Sequence, residues 1–365
     1  MGSTTKRILI VIKGLGRGGA EQLLVSAAPY LDRERYDYHF AYVLPHKDAL
    51  VGKLEELGYP VHCLGGGAGP MWIARLRKLA RDFDLVHVHS PVPAVAARLL
   101  RRAETPMVCT EHNVWGRYHR ATYWANRLTF GRNDHVFAVS DEVRKSIVVS
   151  KGRAGGPTIE TLYHGPDRAE IERWQGTDGV RAEFGIPVHA PLIGTVANFK
   201  EHKGYPFLLE AAAQVKRSVP DAHFMIVGQG PLEPAIKAQA HSLGLDDSIT
   251  FTGFREDVPR LMGAFDLFTL ASLHEGLSIA LLEAMALGTP PVVTGVGGHR
   301  EVVGAEHGFV VPPGDAPALA GKLVTLLQDD ELRDRLGRGA KLRAGEFDIS
   351  ATVKHTETVY EELLA

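Results

Sequence analysis

Residues 274–293, HEGLSIALLEAMALGTPPVV, carry the pattern that decides the fold of this chain. Ile279 to Leu287 are predicted to form a buried helix, which Gly288 and the Pro290-Pro291 pair bring to an end. The mostly apolar run Pro291–Thr294 then has the composition of a short buried strand. A buried helix followed so closely by a strand is typical of a parallel sheet covered by helices.

Two glutamates lie eight residues apart in this stretch, Glu275 just before the helix and Glu283 inside it. Gly276, Leu277 and Ser278 between them place backbone N–H groups at the helix start, where the macrodipole favours a phosphate. Glu283 is surrounded by apolar residues, and a buried carboxylate needs a partner because an unpaired buried charge is costly. Two vicinal hydroxyls of a ribose or hexose would satisfy it. The alternative is a helix-end residue at Glu275 and a surface charge at Glu283.

The composition indicates a globular protein with more than one domain. At 365 residues the chain is long for one hydrophobic core, so two domains of roughly 150–200 residues are expected. No apolar run approaches the roughly 20 residues of a membrane helix, and Lys6-Arg7 is not followed by a signal peptide. Cys63 and Cys109 lie in apolar runs, which predicts reduced core cysteines in a cytoplasmic protein.

Charge is distributed unevenly between the two halves. Residues 1–165 contain 23 Lys and Arg against 15 Asp and Glu, whereas residues 166–365 contain 18 against 28. A basic first half and an acidic second half suggest that the halves face different partners, although compositional drift would give the same counts.

Both halves alternate short apolar strands with amphipathic helices. The first series begins at Ile8–Ile12, and a second series follows His164-Gly165-Pro166. We therefore predict an α/β protein of two Rossmann-like, doubly wound domains that face one another across a cleft. The predicted boundaries are 1–165 and 166–349, and a last helix at about 350–365 can pack back on the first domain.

A glycine-rich loop, GLGRGGAE at 14–21, follows the first predicted strand. It departs from the G-x-G-x-x-G form, and no acidic residue follows at the distance that a nicotinamide cofactor requires. We expect instead that Gly18 and Gly19 let the backbone approach a phosphate or sugar.

Several motifs, in order along nearly the whole chain, resemble those of retaining glycosyltransferases of family 4, also called group 1, which have the GT-B fold. Singly most are weak, and together they are specific. They are GGAE at 18–21, EHN at 111–113, VS at 139–140, HKG at 202–204, VGQGP at 227–231, FTGF at 251–254, the Glu275 and Glu283 pair, and GFVVPPGD at 308–315.

The resemblance implies roles for the residues that match these motifs. Glu283 would hold the ribose diol, Glu275 would contact hydroxyls of the donor sugar, and the amides of 276–278 would serve the sugar and phosphates. Lys203 would neutralise the diphosphate leaving group, a task that suits a flexible point charge. Many relatives have an arginine five residues earlier, where this chain has Asn198, which cannot form a bidentate clamp. Lys200 or Arg17 is the expected substitute.

The base is expected at two glycine-containing turns, one at Gly228–Gly230 and one formed by Gly253, Phe254 and Arg255. Backbone groups read the base in this family, so the sequence leaves the nucleotide open, and a UDP-sugar is favoured as the commonest donor. No cofactor beyond this substrate is expected.

His112 follows the predicted strand Met107–Thr110. In the family, a histidine at this place lies near the donor sugar and supports the transition state, which makes His112, Lys203 and Glu275 the predicted catalytic residues. A structural role for this histidine is the alternative.

Asp82-Phe83-Asp84 has the DxD pattern of metal-binding glycosyltransferases, but it precedes a strand and would lie at the wrong edge of the sheet. We expect no metal requirement.

The reaction implied is transfer of a hexosyl group from a nucleoside diphosphate sugar to an acceptor hydroxyl, with retention of configuration. A basic amphipathic segment at Met71–Leu79 and a basic, aromatic segment at 115–132 suit a lipid-linked or cell-envelope acceptor at the inner face of the membrane. Ordinary solvated basic faces and a small-molecule acceptor are the alternatives, and nucleic-acid binding is not expected. A nucleotide-sugar epimerase of the same fold and a non-catalytic sugar-binding module remain as other functions.

Overall fold

The computed structural model describes residues 5–66, 69–149, 156–174 and 179–365. The chain divides into two compact units, and each is described by itself. The first unit combines Met1–His164 with Ile349–Ala365, and the second is Gly165–Asp348. Within the described residues, no helix combines the length and the apolar character that crossing a membrane requires.

The first unit is built on a parallel sheet of seven strands in the order β3-β2-β1-β4-β5-β6-β7. The central strand β1 is buried from Ile8 to Ile12, as expected for a strand covered on both faces. The strands are β1 (Lys6–Ile12), β2 (Tyr36–Tyr42), β3 (Val61–Cys63), β4 (Leu85–His89), β5 (Met107–Glu111), β6 (His135–Ala138) and β7 (Thr158–Thr161).

Helices cover both faces of this sheet. Ile8, Ile10 and Ile12 pack into one hydrophobic core, while Leu9 and Val11 pack into another on the opposite face. The connecting helices are α1 (Gly19–Ala27), α2 (Val51–Glu56), α3 (Met71–Ala80), α4 (Pro91–Leu100), α5 (Arg120–Thr129) and α6 (Asp141–Ser146).

The second unit has a parallel sheet of six strands in the order β10-β9-β8-β11-β12-β13. Its strands are β8 (Leu192–Val196), β9 (His223–Val227), β10 (Ile249–Gly253), β11 (Leu267–Leu270), β12 (Pro291–Thr294) and β13 (Phe309–Val311). Its helices are α7 (Arg168–Arg173), α8 (Val180–Glu183), α9 (Tyr205–Ser218), α10 (Glu233–Ser242), α11 (Val258–Met262), α12 (Ile279–Ala286), α13 (His299–Val302), α14 (Ala316–Gln328) and α15 (Asp330–Ala344). The prediction of doubly wound α/β sheets is confirmed.

The last helix, α16 (Ile349–Leu364), belongs to the first unit. Val359 and Tyr360 are buried in the core beneath β1. The carboxylate of Glu357 accepts hydrogen bonds from the Tyr38 hydroxyl at 2.7 Å and from the Asp32 amide at 2.8 Å. These contacts fasten the end of the chain to its beginning.

One residue of the predicted core is placed differently. Cys109 is buried in β5, but Cys63 is exposed, so the prediction that Cys63 is a core residue is wrong. Strand β3 is short and lies at the edge of the sheet, where its three residues are only partly covered.

Candidate active site

The strand order of the second sheet reverses between β8 and β11, and loops at the carboxyl ends of such strands form a ligand-binding crevice. The two loops are joined by the Leu273 amide, which donates a 2.7 Å hydrogen bond to the His202 carbonyl. Gly204 has a φ of 65°, and a Cβ there would lie 2.0 Å from the Ala271 carbonyl oxygen. Only glycine fits this approach, which brings Lys203 against the β11 loop.

Lys203 and Glu275 form an ion pair in which the lysine ammonium contacts one carboxylate oxygen. The Ser272 hydroxyl donates to the same oxygen at 2.9 Å. The side chains of Lys203 and Glu275 are only 16% and 11% exposed. Burial is the largest single influence and opposes ionisation of Glu275, but Lys203, His299 and the Ser272 hydrogen bond together outweigh it, so the pKa of this carboxyl is lowered. The structure thus joins two of the predicted site residues directly.

The helix α12 begins immediately after this pair. The hydroxyl of Ser278 caps it by accepting a hydrogen bond from the Leu281 amide at 3.4 Å. The N–H groups of Gly276, Leu277 and Ser278 have no acceptor among the residues that the structure describes. Free amides at the start of an eight-residue helix offer a binding place for an anion.

Glu283 lies in the second turn of α12, where Leu282 and Ala284 on either side are buried. Within the described part of the chain, no hydrogen bond or ion pair reaches its side-chain carboxylate. Burial alone raises the pKa of Glu283 to about 7. This carboxyl is therefore ready to accept hydroxyl donors, since they would stabilise its charged form.

Sequence reasoning missed His299, the first residue of α13. Its side chain is fully buried, and its Nδ1 donates to the Thr294 carbonyl at 2.9 Å. Its Nε2 is buried without a hydrogen-bond partner in the described structure. Burial is the main cause of its lowered pKa, and Glu275 and Lys203 both act on it electrostatically. The glycine pair before His299 was the available signal, because it permits a tight turn after β12.

The turns predicted to read the base are adjacent. Gly228, at the end of β9, donates its amide to the Gly253 carbonyl at 3.0 Å. Its φ is 147°, and a Cβ there would lie 2.1 Å from the Ala197 carbonyl oxygen, next to Asn198. Phe254 is 38% exposed beside this turn.

Two cationic residues near these turns differ in whether they are free to bind a phosphate. The Arg255 guanidinium bonds both carboxylate oxygens of Asp257 at 2.8 Å and contacts Glu183 at 3.0 Å. Arg255 is therefore engaged in a local ion-pair network, whereas Lys200 is exposed. Lys200 is the better placed of the two to supplement Lys203.

In the first unit, His112 directly follows β5 and is half-buried. Its Nε2 shares a hydrogen bond with Nδ1 of His89 at 3.1 Å, and its ring stacks on that of His164. Burial lowers the pKa of His112 to about 4, so the imidazole is neutral near pH 7. The neighbouring Glu111 is turned away into a buried network with Tyr118 and Asn126.

Gly18 and Gly19 lie at the start of α1, after β1 and at the switch point of the first sheet.

Asp84 lies at the opposite edge of this sheet, just before β4, where its carboxylate accepts a 2.7 Å hydrogen bond from the Arg7 amide. A cavity of about 750 Å³ also lies at that edge, lined by α3, α4 and the start of β5. In the residues described, no three His, Cys, Asp or Glu side chains are grouped as metal ligands would be.

Comparison with a solved structure identifies the fold class of this chain. The fold matches that of HepE from Anabaena in complex with UDP-glucose, with a TM-score of 0.84 and 25% identity over 98% of this chain and 100% of that one. The two parallel, doubly wound units are therefore those of a GT-B glycosyltransferase.

The sequence comparisons then identify the family. Residues 177–343 match the model of glycosyl transferases group 1, and residues 17–169 match that of glycosyltransferase family 4. Alpha-D-kanosaminyltransferase of Streptomyces kanamyceticus is 32% identical over 80% of this chain and 81% of its own length. Phosphatidyl-myo-inositol mannosyltransferase of Mycobacterium leprae is 30% identical over 77% and 74%. The chain belongs to the group 1, family 4 glycosyltransferases and is a transferase enzyme.

The two glutamates are expected to affect stability in opposite directions. Because the pKa of Glu283 is raised from 4.5 to about 7, the folded state loses stability as pH rises through this range, and the loss is complete above it. Glu283→Gln should therefore raise the free energy of unfolding by about 3 kcal/mol at pH 8, and by about half as much at pH 5.5. Thermal unfolding at both pH values measures this.

Glu275→Gln is the matched control for that experiment. The pKa of Glu275 is lowered, so its contribution to stability is present above pH 4.5 and is lost as pH falls. This variant should unfold at a lower temperature at pH 8. Shifts of the same sign in the two variants would contradict the assignment of one paired and one unpaired carboxyl.

Proposed function

We propose that this glycosyltransferase moves a hexosyl group from a nucleoside diphosphate sugar, with a UDP-sugar favoured, to an acceptor hydroxyl with retention of configuration. The observation that carries the proposal is the Lys203–Glu275 ion pair beside the free amides at the start of α12. A cation and helix amides suit a diphosphate, and carboxylates suit sugar hydroxyls. The likeness to HepE, which was solved with UDP-glucose, supports the choice of uracil.

Lys203 is proposed to stabilise the leaving group. An ammonium has three N–H donors, and Glu275 occupies only one of them in the free protein. The remaining donors can bind the diphosphate while the amides of Gly276, Leu277 and Ser278 bind from the helix. Stabilising the charge that develops on a leaving phosphate is a large contribution to catalysis of this kind.

Glu283 is proposed to bind the ribose diol of the nucleotide. Its carboxyl has no partner among the described residues, and burial raises its pKa to about 7, which disfavours its charged form. Two hydroxyl donors would restore the ionised form. Nucleotide binding and ionisation of Glu283 are then linked, and both are favoured as pH rises through 7.

We propose front-face transfer as the route to retention. The acceptor oxygen forms its bond to the anomeric carbon on the side from which the diphosphate leaves, and the acceptor proton passes to a departing phosphate oxygen. The protein then contributes positioning and charge stabilisation. His112, neutral near pH 7, is proposed to support the transferred sugar by hydrogen bonding. This chemistry needs no metal ion.

A donor panel tests the function as a whole. UDP-, GDP- and ADP-sugars are incubated with the protein in EDTA, first without an acceptor and then with a mixture of sugar and lipid-linked acceptors. We expect one nucleotide to bind, and transfer to require an acceptor and to persist in the chelator. Conversion of the donor sugar without acceptor would indicate an epimerase, and binding without any turnover would indicate a sugar-binding module. Loss of transfer in EDTA that divalent metal restores would overturn the metal-free mechanism.

Alanine substitution tests the catalytic residues. Lys203→Ala removes the charge that faces the leaving group and should lower kcat by about 100-fold or more. His112→Ala and Glu275→Ala should also reduce kcat by at least about 10-fold. Lys341→Ala, at an exposed lysine of α15 in the same unit, is the control and should change kcat by less than about 5-fold. Equal effects at Lys341 and Lys203 would contradict a specific role of Lys203 at the leaving group.

We further propose that the acceptor is a lipid-linked sugar met at the inner, cytoplasmic face of a membrane. On α5, Trp124 and Leu128 are 51% and 74% exposed on one helical face, and the Arg127 guanidinium lies 5.1 Å from the Trp124 ring centre. Exposed aromatic, aliphatic and basic side chains together favour an anionic bilayer surface. The mycobacterial relative is named for a phosphatidylinositol acceptor.

Vesicle binding tests this surface. The protein should sediment with vesicles of phosphatidylglycerol and much less with phosphatidylcholine, and about 0.5 M salt should weaken binding because it screens the charges. Trp124→Ser with Leu128→Ser should reduce the bound fraction several-fold. Leu342→Ser, at an equally exposed leucine of α15, is the control and should have no effect. Equal binding to both lipids, or loss in the control as well, would contradict the proposed surface.

A further inference from the structure

His299 has a buried hydrogen-bonding atom for which the described residues supply no partner. The side chain is fully buried, and the Nε2 atom has no hydrogen-bond partner in the described part of the chain. A buried polar atom left unpaired costs about 1–3 kcal/mol, so such atoms usually have a ligand or an ordered water. The other ring nitrogen is occupied, since Nδ1 lies 2.9 Å from the Thr294 carbonyl oxygen.

The Thr294 contact determines which ring nitrogen carries the hydrogen. A carbonyl oxygen can only accept, so Nδ1 must hold the hydrogen. Burial, with Lys203 nearby, lowers the pKa of His299, although Glu275 and the Thr294 carbonyl oppose this shift. The ring is therefore neutral, and Nε2 presents a lone pair that can accept a hydrogen bond.

The backbone fixes His299 against the loop that holds Glu275. The Gly298 amide donates to the Gly276 carbonyl at 2.6 Å. Gly297 has a φ of 52°, and a Cβ there would lie 2.3 Å from the Glu275 carbonyl oxygen. The turn after β12 and the loop after β11 thus form one rigid unit at the carboxyl end of the sheet.

A side-chain contact joins the same two segments a second time. The Thr294 hydroxyl donates to the Ser272 carbonyl at 2.6 Å, and the Ser272 hydroxyl donates to Glu275 at 2.9 Å. His299 and Glu275 therefore keep a fixed relation to each other, as residues that recognise one ligand must.

The chemistry of this pair selects the ligand. A carboxylate and an imidazole lone pair are both acceptors, so neither can satisfy the other. A phosphate also supplies only acceptors when ionised, whereas a sugar carries several hydroxyl donors. The donor sugar is thus the part of the substrate that matches Glu275 and His299 together.

We propose that Nε2 of His299 accepts a hydrogen bond from a hydroxyl of the transferred sugar, and that His299 thereby selects which sugar is transferred. The inference rests on the proposed function and adds a residue that determines specificity. Nε2 is buried in the free protein, and the proposed contact requires that the diphosphate opens access to it by competing with Glu275 for Lys203. A site built to bond a hydroxyl discriminates strongly against a donor that lacks it, because its own polar atom is then unpaired.

Two substitutions separate this role from a structural one. In H299N the side-chain amide can still donate to the Thr294 carbonyl but has no acceptor at the position of Nε2. In H299Q an amide oxygen can reach that position. Calorimetry measures the Kd of each variant for UDP-glucose and for UDP, or for the corresponding pair if the wild type binds another nucleotide. His223→Asn, at the amino end of β9 in the same unit, is the control.

We expect H299N to weaken binding of UDP-glucose by about 10–100-fold and that of UDP by less than about 3-fold. H299Q should restore part of the difference. UDP-glucose analogues that each lack one hydroxyl complete a double-mutant cycle, and the effect of H299N should disappear for the one analogue that lacks the contacted hydroxyl.

Each remaining outcome overturns the inference. Equal weakening of UDP and UDP-glucose would show a structural role, and unchanged affinities would show that Nε2 faces only a water. An effect of H299N that persists with every analogue would exclude the hydroxyl contact. If the wild type binds the nucleotide sugar and transfers it, these results count against His299 alone. If it binds no nucleotide sugar, the proposed function fails first.

Discussion

The ion pair of Lys203 and Glu275 is the contact on which the second unit's site depends. Two largely buried charges stabilise one another only when their geometry is good, and removal of either leaves the other uncompensated. The required geometry comes from the backbone, because Gly204 admits the Ala271 carbonyl and the Leu273 amide binds the neighbouring loop. The strand order places those loops side by side, so the ion pair depends on the topology of the sheet.

The same helix gives two carboxylates opposite properties. Glu275 precedes α12 and has a lysine beside it, so its pKa is lowered. Glu283 lies in the second turn of the helix among apolar side chains and has no partner among the described residues, so its pKa is raised to about 7. A carboxyl kept unpaired in this way lowers stability, and such local costs are typical of functional positions. The difference shows that Glu275 is paired within the protein, and it supports the proposal that a ligand pairs with Glu283.

The sequence was sufficient where a feature depends on local pattern. The helix at Ile279–Ala286 follows from its apolar run and its glycine and proline stop, and Glu283 stands out because its neighbours are apolar. The family resemblance marked Lys203 and Glu275 as separate site residues, but it did not predict their ion pair, which joins residues that are 72 positions apart along the chain. The pattern of alternating strands and helices predicted both parallel sheets, but not which strand lies at an edge. The error at Cys63 has this cause.

Other features depend on tertiary contacts that no local pattern encodes. The engagement of Arg255 by Asp257 and Glu183 requires α8 to lie near the turn after β10, and only the folded chain shows this. His299 was missed for the same reason. Two glycines before a histidine indicate only a tight turn, whereas the folded chain shows that Nδ1 is hydrogen-bonded and that Nε2 has no partner among the described residues.

The two units differ in the kind of polar group that they offer. In the first unit, burial lowers the pKa of His112 to about 4 and that of His164 to about 3, so these rings are neutral hydrogen-bonding groups near pH 7. The second unit instead presents an ammonium, an ionised carboxylate and helix amides. Since a diphosphate is an anion and a hydroxyl is an uncharged donor, the ammonium and the helix amides suit the leaving group, whereas the carboxylate and the neutral imidazoles suit hydroxyls. Burial raises the pKa of Glu283 to about 7 and lowers the pKa values of His112 and His164, so pH dependence near pH 7 is expected to arise from the nucleotide binding proposed at Glu283 rather than from these histidines.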